Sequence, residues 1–410
     1  MKIHDTGVPV PLATPRLKEP HGSPSTQMES MAKRCRRSAP IFIGSDCSGV
    51  NAAKVAFESL GIDVRELFAS EKDEATRATL IHNFGLRDSQ VYRDCQHRHT
   101  PPPRVDFYSA GVPCQCYSGE GLRGGLTSET GRVGLSVISY IAEKKPKYFV
   151  LENVRALISS RHWGDFELIM NFLRSIKGKD EKPIYRLTWK VVDALHCGVP
   201  QSRPRLFIVG LSKERASRRF LWPTQQPLPT LDQFLDEHVE GQIPQMPSTR
   251  TEQRNYLACV RTILRNGHKL NAPYIADLAT NFGNSSDGNA HVMYQRSPCL
   301  TRGHAGANSF YYFSRGRKLT LREYFRLQGF PDNRIEAPPG VSERQLRCMV
   351  GNSICVPAIA AIIDRALYST GLTASPIHFT PGSGEAGNQW PHRPARRPAA
   401  ALGSASTRRT

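Results

Sequence analysis

Four predicted strands in the first half of the chain each end next to a residue with chemical potential: Gly49, Glu71, Cys114 and Glu152. The strands alternate with amphipathic helices, as in the segment from Ala52 to Gly61, which a glycine closes. This alternation predicts an α/β fold with a mostly parallel sheet covered by helices on both faces. Because such sheets bind ligands outside the carboxyl ends of their strands, we expect the four residues to gather along one edge.

The pattern divides the chain into five parts. We predict a first folded domain over residues 41–210, an irregular, proline-rich small domain over 211–317, and helices over 318–370 that return to the first domain. Residues 1–40 and 371–410 are rich in Pro, Gly, Ser and Ala, and each carries a net charge of +4. Such segments cannot bury enough apolar surface to offset the entropy of ordering, so we predict disordered arms.

Charge and cysteine usage narrow the class of protein. The chain has 55 Lys and Arg against 36 Asp and Glu, and residues 291–370 alone hold a net +6, as contact with phosphates requires. An ordinary solvated basic surface is equally compatible with charge alone. The longest apolar stretch, Ile354 to Ile363, is too short for a membrane span, so no membrane partner is expected. The ten scattered cysteines predict reduced thiols rather than a disulfide framework.

Three segments carry the candidate chemistry. Cys114, on a turn after a strand, is either a nucleophile activated by a helix N-terminus or a small buried hydrophobe. A carboxylate at the end of a buried strand, such as Glu152, can be pushed towards its protonated form and donate a hydrogen bond. Arg203 and Arg205, two apart before an apolar strand, would face the same way. The pair Cys114 and Cys116 lacks further ligands at zinc spacing, so no metal is predicted.

In order along the chain, these segments resemble the C5-cytosine DNA methyltransferase family. The resemblance covers about residues 41–367 and rests on five motifs: Pro113-Cys114-Gln115 with Tyr117-Ser118, Glu152-Asn153-Val154, Gln201-Ser202-Arg203-Pro204-Arg205, Lys318 to Pro331, and Gly351-Asn352-Ser353. It implies a Rossmann-like S-adenosylmethionine methyltransferase domain at 41–210 and a target-recognition domain at 211–317.

The resemblance also implies a mechanism. Cys114 would attack C6 of a cytosine swung out of the duplex, and Glu152 would hydrogen-bond N3 and the exocyclic amine. Arg205 would contact O2 of the base with Arg203 supporting it, and Asn153 completes the predicted catalytic set. The substrate-binding residues implied are Gln115, Ser118, Gln201, Arg302, Arg315, Arg317 and Lys318.

The methyl donor implied is S-adenosylmethionine. Its predicted ligands are Cys47, Ser48, Gly49, Glu71, Lys72, Asp94, Cys95, Pro113, Asn352 and Ser353. Glu71 would accept hydrogen bonds from the ribose hydroxyls, and Asp94 would read the adenine amine. The sequence departs from the family at Cys47, where Phe is usual, and at Asn51 and Ala52, where a glycine pair is usual. These departures suggest weaker or altered binding of the cofactor.

Three functions remain open from the sequence. The first is a DNA cytosine-C5 methyltransferase acting on double-stranded DNA as a monomer. The second is a tRNA cytosine methyltransferase of the same fold, which carries a Cys-Phe-Thr tripeptide where this chain has Cys299-Leu300-Thr301. The third is a DNA-binding protein of low catalytic activity. The basic arms favour the nucleus, with the bacterial cytoplasm as the alternative.

Overall fold

The computed structural model describes residues 40–112, 129–237, 244–279 and 292–373. Seven strands form the main sheet in the order β3-β2-β1-β4-β5-β7-β6. Their bounds are β1 Ile41–Asp46, β2 Val64–Ser70, β3 Val91–Tyr92, β4 Phe107–Gly111, β5 Tyr148–Val154, β6 Tyr185–Asp193 and β7 Pro204–Ser212. The predicted α/β fold with a mostly parallel sheet is confirmed.

Strand direction determines which residues meet at the carboxyl edge. Strands β1 to β5 run parallel, whereas β7 is antiparallel to β5 and to β6. The start of β7 therefore lies beside the end of β5, with Arg205 opposite Val154 and Phe207 opposite Glu152. The reversed strand brings basic residues from its own beginning to the edge where the parallel strands finish.

Helices cover both faces of the sheet. They are α1 Ala52–Ser59, α2 Glu74–Phe84, α3 Glu129–Lys144, α4 Trp163–Ser175, α5 Arg250–Arg265, α6 Arg302–Gly306, α7 Leu321–Leu327, α8 Glu343–Asn352 and α9 Val356–Ser369. Helices α1 and α9 share one core with β1, and α3 and α4 share a second core on the opposite face. Within the described ranges no single helix is long and apolar enough to cross a membrane, and only the bent pair α8 and α9 passes that test together.

The small domain contains more regular structure than its composition predicts. Four strands, β8 Tyr274–Asp277, β9 Val292–Tyr294, β10 Phe310–Tyr312 and β11 Arg317–Lys318, form an antiparallel sheet in the order β11-β10-β8-β9. Helix α5 packs on it through Cys259 and Ile263, which are fully buried with Tyr311. A short 3-10 turn spans Leu231–Phe234.

Candidate active site

The residues predicted to bind the cofactor converge at the ends of β1, β2 and β3. The backbone N–H of Gly49 donates to Glu71 Oε2 at 2.9 Å, and the N–H of Ser48 donates to the carbonyl of Ser70 at 2.9 Å. Glu71 Oε1 accepts from the N–H of Asp73 at 3.0 Å. Burial raises the pKa of Glu71 above its usual range, although these backbone donors oppose the shift.

Two further contacts connect the residues that follow β3 to the same cluster. Lys72 Nζ lies 3.8 Å from Asp94 Oδ2, and the thiols of Cys47 and Cys95 hydrogen-bond each other. Gly49 adopts φ +54°, and a Cβ built on it would meet no atom within 4 Å. The cluster therefore offers two carboxylates beside an open stretch of backbone, which suits a ligand carrying hydroxyl and amine donors.

The departure from the family pattern at Asn51 is accommodated by the backbone conformation of this residue. Asn51 has φ 55° and ψ 49°, a left-handed geometry that asparagine tolerates better than most residues. Its side-chain amide donates to both carboxylate oxygens of Glu66, at 2.9 and 2.8 Å, and its Oδ1 accepts from the N–H of Lys54. Asn51 thus takes the conformation that a glycine would take and adds a buried anchor to β2.

The segment around Asn352 approaches the turn after β1 through the residues that flank Asn352. Asn352 ends α8 and is exposed, whereas Ser353 is buried and its carbonyl accepts from Arg203 Nη2 at 2.7 Å. A Cβ built on Gly111 would lie 3.6 Å from Ile354 and 3.8 Å from the carbonyl of Cys47. The segment following α8 is therefore packed against the turn after β1.

Glu152 and Arg205 form the centre of the second part of the site. Arg205 Nε lies 3.2 Å from Glu152 Oε1, and both side chains are mostly buried. Burial raises the pKa of Glu152, and the charges of Arg205 and Arg203 only partly oppose this. A carboxyl group in this environment takes up a proton more readily than a solvated one, and in its protonated form it can donate a hydrogen bond. The side chain of Asn153 turns back instead, and its Oδ1 accepts from the N–H of Val154 at 2.7 Å.

Arg203 lies next to this site and stabilises it through hydrogen bonds to backbone carbonyls. It is 2% exposed, and its guanidinium donates to the carbonyls of Leu300, Gly351 and Ser353 at 2.7, 3.0 and 2.7 Å. Desolvation lowers the pKa of Arg203, with a further contribution from the charge of Arg205. Arg203 therefore joins three distant segments of the chain beneath Arg205.

Cys299 is a site residue whose position the sequence did not reveal. Its Sγ lies 3.5 Å from Arg203 Nη1 and 3.6 Å from Arg205 Nη2. Burial would raise the pKa of this thiol, but the two guanidinium charges outweigh burial and the net shift is downward. The only available signal was its place in Cys299-Leu300-Thr301, which we had used to compare DNA and RNA enzymes.

Several predicted substrate contacts have other partners. Gln201 is fully buried; its side-chain amide donates to the carbonyl of Leu327 and to Gln328 Oε1, and its Oε1 accepts from the N–H of Leu300. Arg317 is 8% exposed and forms a bidentate pair with Glu323 at 2.6 and 2.8 Å. Both residues were predicted from charge or motif without knowledge of their burial.

The other predicted substrate residues are either paired or outside the described ranges. Lys318 pairs with Glu252 at 2.7 Å, Arg315 with Asp232 at 3.7 Å, and the half-exposed Arg302 with Asp73 at 3.9 Å. Pro113, Cys114, Gln115 and Ser118 lie outside the described residues. Among the residues that are described, no group of three or more His, Cys, Asp or Glu side chains could hold a metal ion.

A cavity next to Glu152 lies mainly on the other face of the sheet. It is partly open to solvent, and α3 lines it together with Leu151, Asn153, Leu206 and Ile208. These strand residues alternate with Glu152 and Arg205, so they point to the opposite face. The lining is largely apolar, so the cavity has few groups that could form hydrogen bonds with a polar base.

The sheet is mostly parallel, and its carboxyl edge carries the cluster of Gly49, Glu71 and Asp94 and the buried Glu152–Arg205 pair. This arrangement defines a Rossmann-like methyltransferase. The family model for C-5 cytosine-specific DNA methylase matches residues 44–367. The chain belongs to this family and is a DNA cytosine-5 methyltransferase.

Relatives and solved structures agree with this assignment. Type II methyltransferase M.HpaII of Haemophilus parainfluenzae is 29% identical over 343 residues, covering 79% of this chain and 88% of the relative. Type II methyltransferase M.SsoII of Shigella sonnei is 28% identical, covering 78% of each chain. The Entamoeba histolytica methyltransferase EhMeth superimposes with a TM-score of 0.56 at 15% identity, covering 81% of this chain and 99% of that structure, which shows the shared fold.

Proposed function

We propose that the chain transfers a methyl group from S-adenosylmethionine to C5 of a cytosine that has been flipped out of double-stranded DNA. The observation that carries this proposal is the position of the Glu152–Arg205 pair, at the same sheet edge as the cluster of Gly49, Glu71 and Asp94. S-adenosylmethionine supplies an electrophilic methyl group when it is bound. Glu71 would hold its ribose hydroxyls and Asp94 its adenine amine.

The base is prepared by groups of the chain itself. Cys114, as a thiolate, adds to C6, and the electrons of the C5–C6 double bond move to C5. Protonated Glu152 donates to N3 while its carbonyl oxygen accepts from the exocyclic amine, and Arg205 donates to O2. Once C5 has taken the methyl group, a base removes the C5 proton, the double bond re-forms and Cys114 leaves as a thiolate.

Trapping the covalent intermediate tests this proposal. DNA with a 5-fluorinated target cytosine cannot lose its C5 substituent as a proton, so the thioether to Cys114 should persist and give a gel-shifted complex. Cys114→Ser should abolish both the complex and methyl transfer, whereas the neighbouring Cys116→Ser should retain both. A complex that survives in Cys114→Ser would remove this thiol from the mechanism. A complex that forms on fluorinated tRNA and not on DNA would support the RNA alternative.

The organisation of the chain is part of the same proposal. We assign the catalytic domain to residues 41–210, the target-recognition domain to 211–317 and the returning helices to 318–370, acting as a monomer. Because the relatives reported above come from bacteria, they favour the bacterial cytoplasm over the nucleus. Bisulfite sequencing of DNA from a bacterial host that expresses the chain would give both activity and sequence context, and sedimentation would give the oligomeric state.

A further inference from the structure

The basic residues expected to contact DNA are mostly occupied by carboxylates of the chain. Of the eight arginines and lysines between residues 296 and 334, seven lie within 4.0 Å of an acidic oxygen. These seven are Arg302, Arg315, Arg317, Lys318, Arg322, Arg326 and Arg334. Their acidic partners include Glu58, Asp73 and Asp236, from outside that segment. The net +6 of residues 291–370 is therefore a poor guide to where free positive charge lies.

Helix α5 has the opposite character, although it belongs to a segment of net charge +1 over residues 211–290. Arg250, Arg254, Arg261 and Arg265 are all exposed. At 100° per residue, their spacings of 4, 7 and 4 place them on one side of the helix. Within the part of the chain that the structure describes, none of the four has an ion pair. The single acid of the helix, Glu252, is buried on the other side with Lys318.

Two leucines complete this surface. Leu257 is 50% exposed and Leu264 55% exposed, and both lie between the arginines on the same side of α5. We call the six residues, Arg250, Arg254, Leu257, Arg261, Leu264 and Arg265, the α5 stripe. Four unpaired positive charges oppose the packing of this surface against a second copy of itself, whereas a polyanion with apolar sugar edges complements both residue types.

Helix α5 is connected through the small domain to the residues around Glu152 and Arg205. Asn255 of α5 donates to the carbonyl of Leu278 at 2.8 Å, which anchors the helix behind β8. The same small domain continues to Ser297, which pairs with Gln201, and to Cys299, which contacts Arg203 and Arg205. A helix anchored in this way can hold a duplex while the target base of that duplex is bound at Glu152 and Arg205.

We propose that the α5 stripe binds the phosphate backbone of DNA next to the target site. The proposal depends on the proposed function only in that the substrate is double-stranded DNA. It assigns the main electrostatic contact of the small domain to α5 and not to residues 291–370. Each arginine that neutralises a phosphate releases a condensed counterion, so binding through the stripe must weaken steeply as salt rises.

The salt dependence of DNA binding tests this assignment. For a 30-base-pair duplex titrated between about 50 and 200 mM salt, Arg254→Gln with Arg261→Gln should reduce the slope of log K against log salt by about 2, roughly one for each contact removed. Lys179→Gln with Lys182→Gln removes the same charge from exposed positions before β6, at the opposite sheet edge, and should leave the slope unchanged. Equal slopes for the two double variants would overturn the proposal.

A gain-of-charge variant guards against a loss of folding. Leu257→Lys adds a positive charge within the stripe and should tighten non-specific binding and steepen the slope by about 1. Thermal melting by circular dichroism establishes that the variants are folded. Failure of the unaltered chain to bind or methylate DNA would count against the proposed function. Normal methylation with no effect of the α5 variants would count against the stripe alone. Retention of DNA binding with loss of self-association, or of binding to anionic vesicles, would assign the stripe to another partner.

Discussion

Arg205 Nε lies 3.2 Å from Glu152 Oε1, and the two residues come from neighbouring antiparallel strands. The ladder between β5 and β7 fixes the separation of these strands, so the two side chains are positioned by backbone hydrogen bonds and not by a loop. A pair placed in this way can grip two edges of a planar ring without rearrangement, which is the property that electrostatic catalysis requires.

The first prediction concerns the proton on Glu152. Burial raises the pKa of this carboxyl group, which favours the protonated form that the proposed mechanism requires for donation to N3 of the base. Glu152→Gln keeps the shape but cannot deliver a proton as charge develops, so kcat should fall about 10²–10³-fold. DNA binding should be retained, since the proposed contact of Arg205 with the ring is unchanged. Single-turnover methyl transfer together with a filter-binding assay measures both. Unchanged kcat would exclude Glu152 from the chemical step.

The second prediction concerns Cys299. Arg203 and Arg205 lower the pKa of this thiol despite its burial, which favours the thiolate form beside them. Glu152 and Cys355 also act on Arg203, and Asp193 acts on Cys355. Cys299→Ser removes the group that can place a negative charge beside the arginines, so we expect them to act more strongly on Glu152 and to lower its pKa. The alkaline limb of kcat should then move to lower pH. Cys348→Ser, at a half-buried thiol on α8, is the control and should keep the original profile.

The third prediction concerns the cofactor cluster. Glu71 is half-buried and accepts from Gly49, whereas Glu74 is exposed at the start of α2. Loss of a hydrogen bond to a charged group costs about 1.5–3 kcal/mol, so Glu71→Ala should weaken S-adenosylmethionine binding about 10- to 100-fold. Glu74→Ala should not change it. Isothermal titration calorimetry without DNA gives the comparison, and equal affinities for the two variants would contradict the assignment of Glu71.

The fourth prediction is a pH dependence of stability. Burial raises the pKa of Glu66 from 4.5 to about 7, despite Lys54 Nζ at 3.7 Å and the amide of Asn51. Because the folded pKa lies above the unfolded one, the contribution of Glu66 to stability is fully present below pH 4.5 and is lost as pH rises through 7. Each pKa unit corresponds to about 1.4 kcal/mol, so the loss amounts to a few kcal/mol.

Glu66→Gln isolates that effect. The amide oxygen still accepts from Asn51 but carries no charge at any pH. The fall in the free energy of unfolding between pH 5 and pH 8 should therefore be smaller in Glu66→Gln than in the unaltered chain. Glu167→Gln, at an exposed residue of α4, serves as the control for loss of one carboxylate. Identical pH profiles for the unaltered chain and Glu66→Gln would show that this carboxyl is not buried as described.

Local patterns predicted the strands and the residues that follow them, because a strand and its turn are encoded within a few neighbouring positions. The direction of β7 was not predictable in this way, since the pairing of Arg205 with Glu152 depends on a strand that joins the sheet in reverse. Helix α5 was missed because its buried side includes Glu252 and Asn255, two polar residues that interrupt the apolar pattern. The helix is nevertheless amphipathic along its own sequence, so a search at helical spacing would have found it.

Charge was the least reliable guide. Counting charges along the chain assigned phosphate contacts to residues such as Arg317, which lies in a buried pair with Glu323. Arg334 pairs with Glu58, from the opposite end of the domain. A charge count by segment cannot include partners that folding brings from elsewhere, so it measures composition and not the exposed potential.

The hydrogen bonds that Arg203 donates to backbone carbonyls have a consequence for folding during translation. Its guanidinium needs carbonyl acceptors at Leu300, Gly351 and Ser353, all made long after β7 has emerged. A nascent chain that has completed β7 still lacks these acceptors. We therefore expect a polypeptide truncated before residue 351 to lack methyltransferase activity.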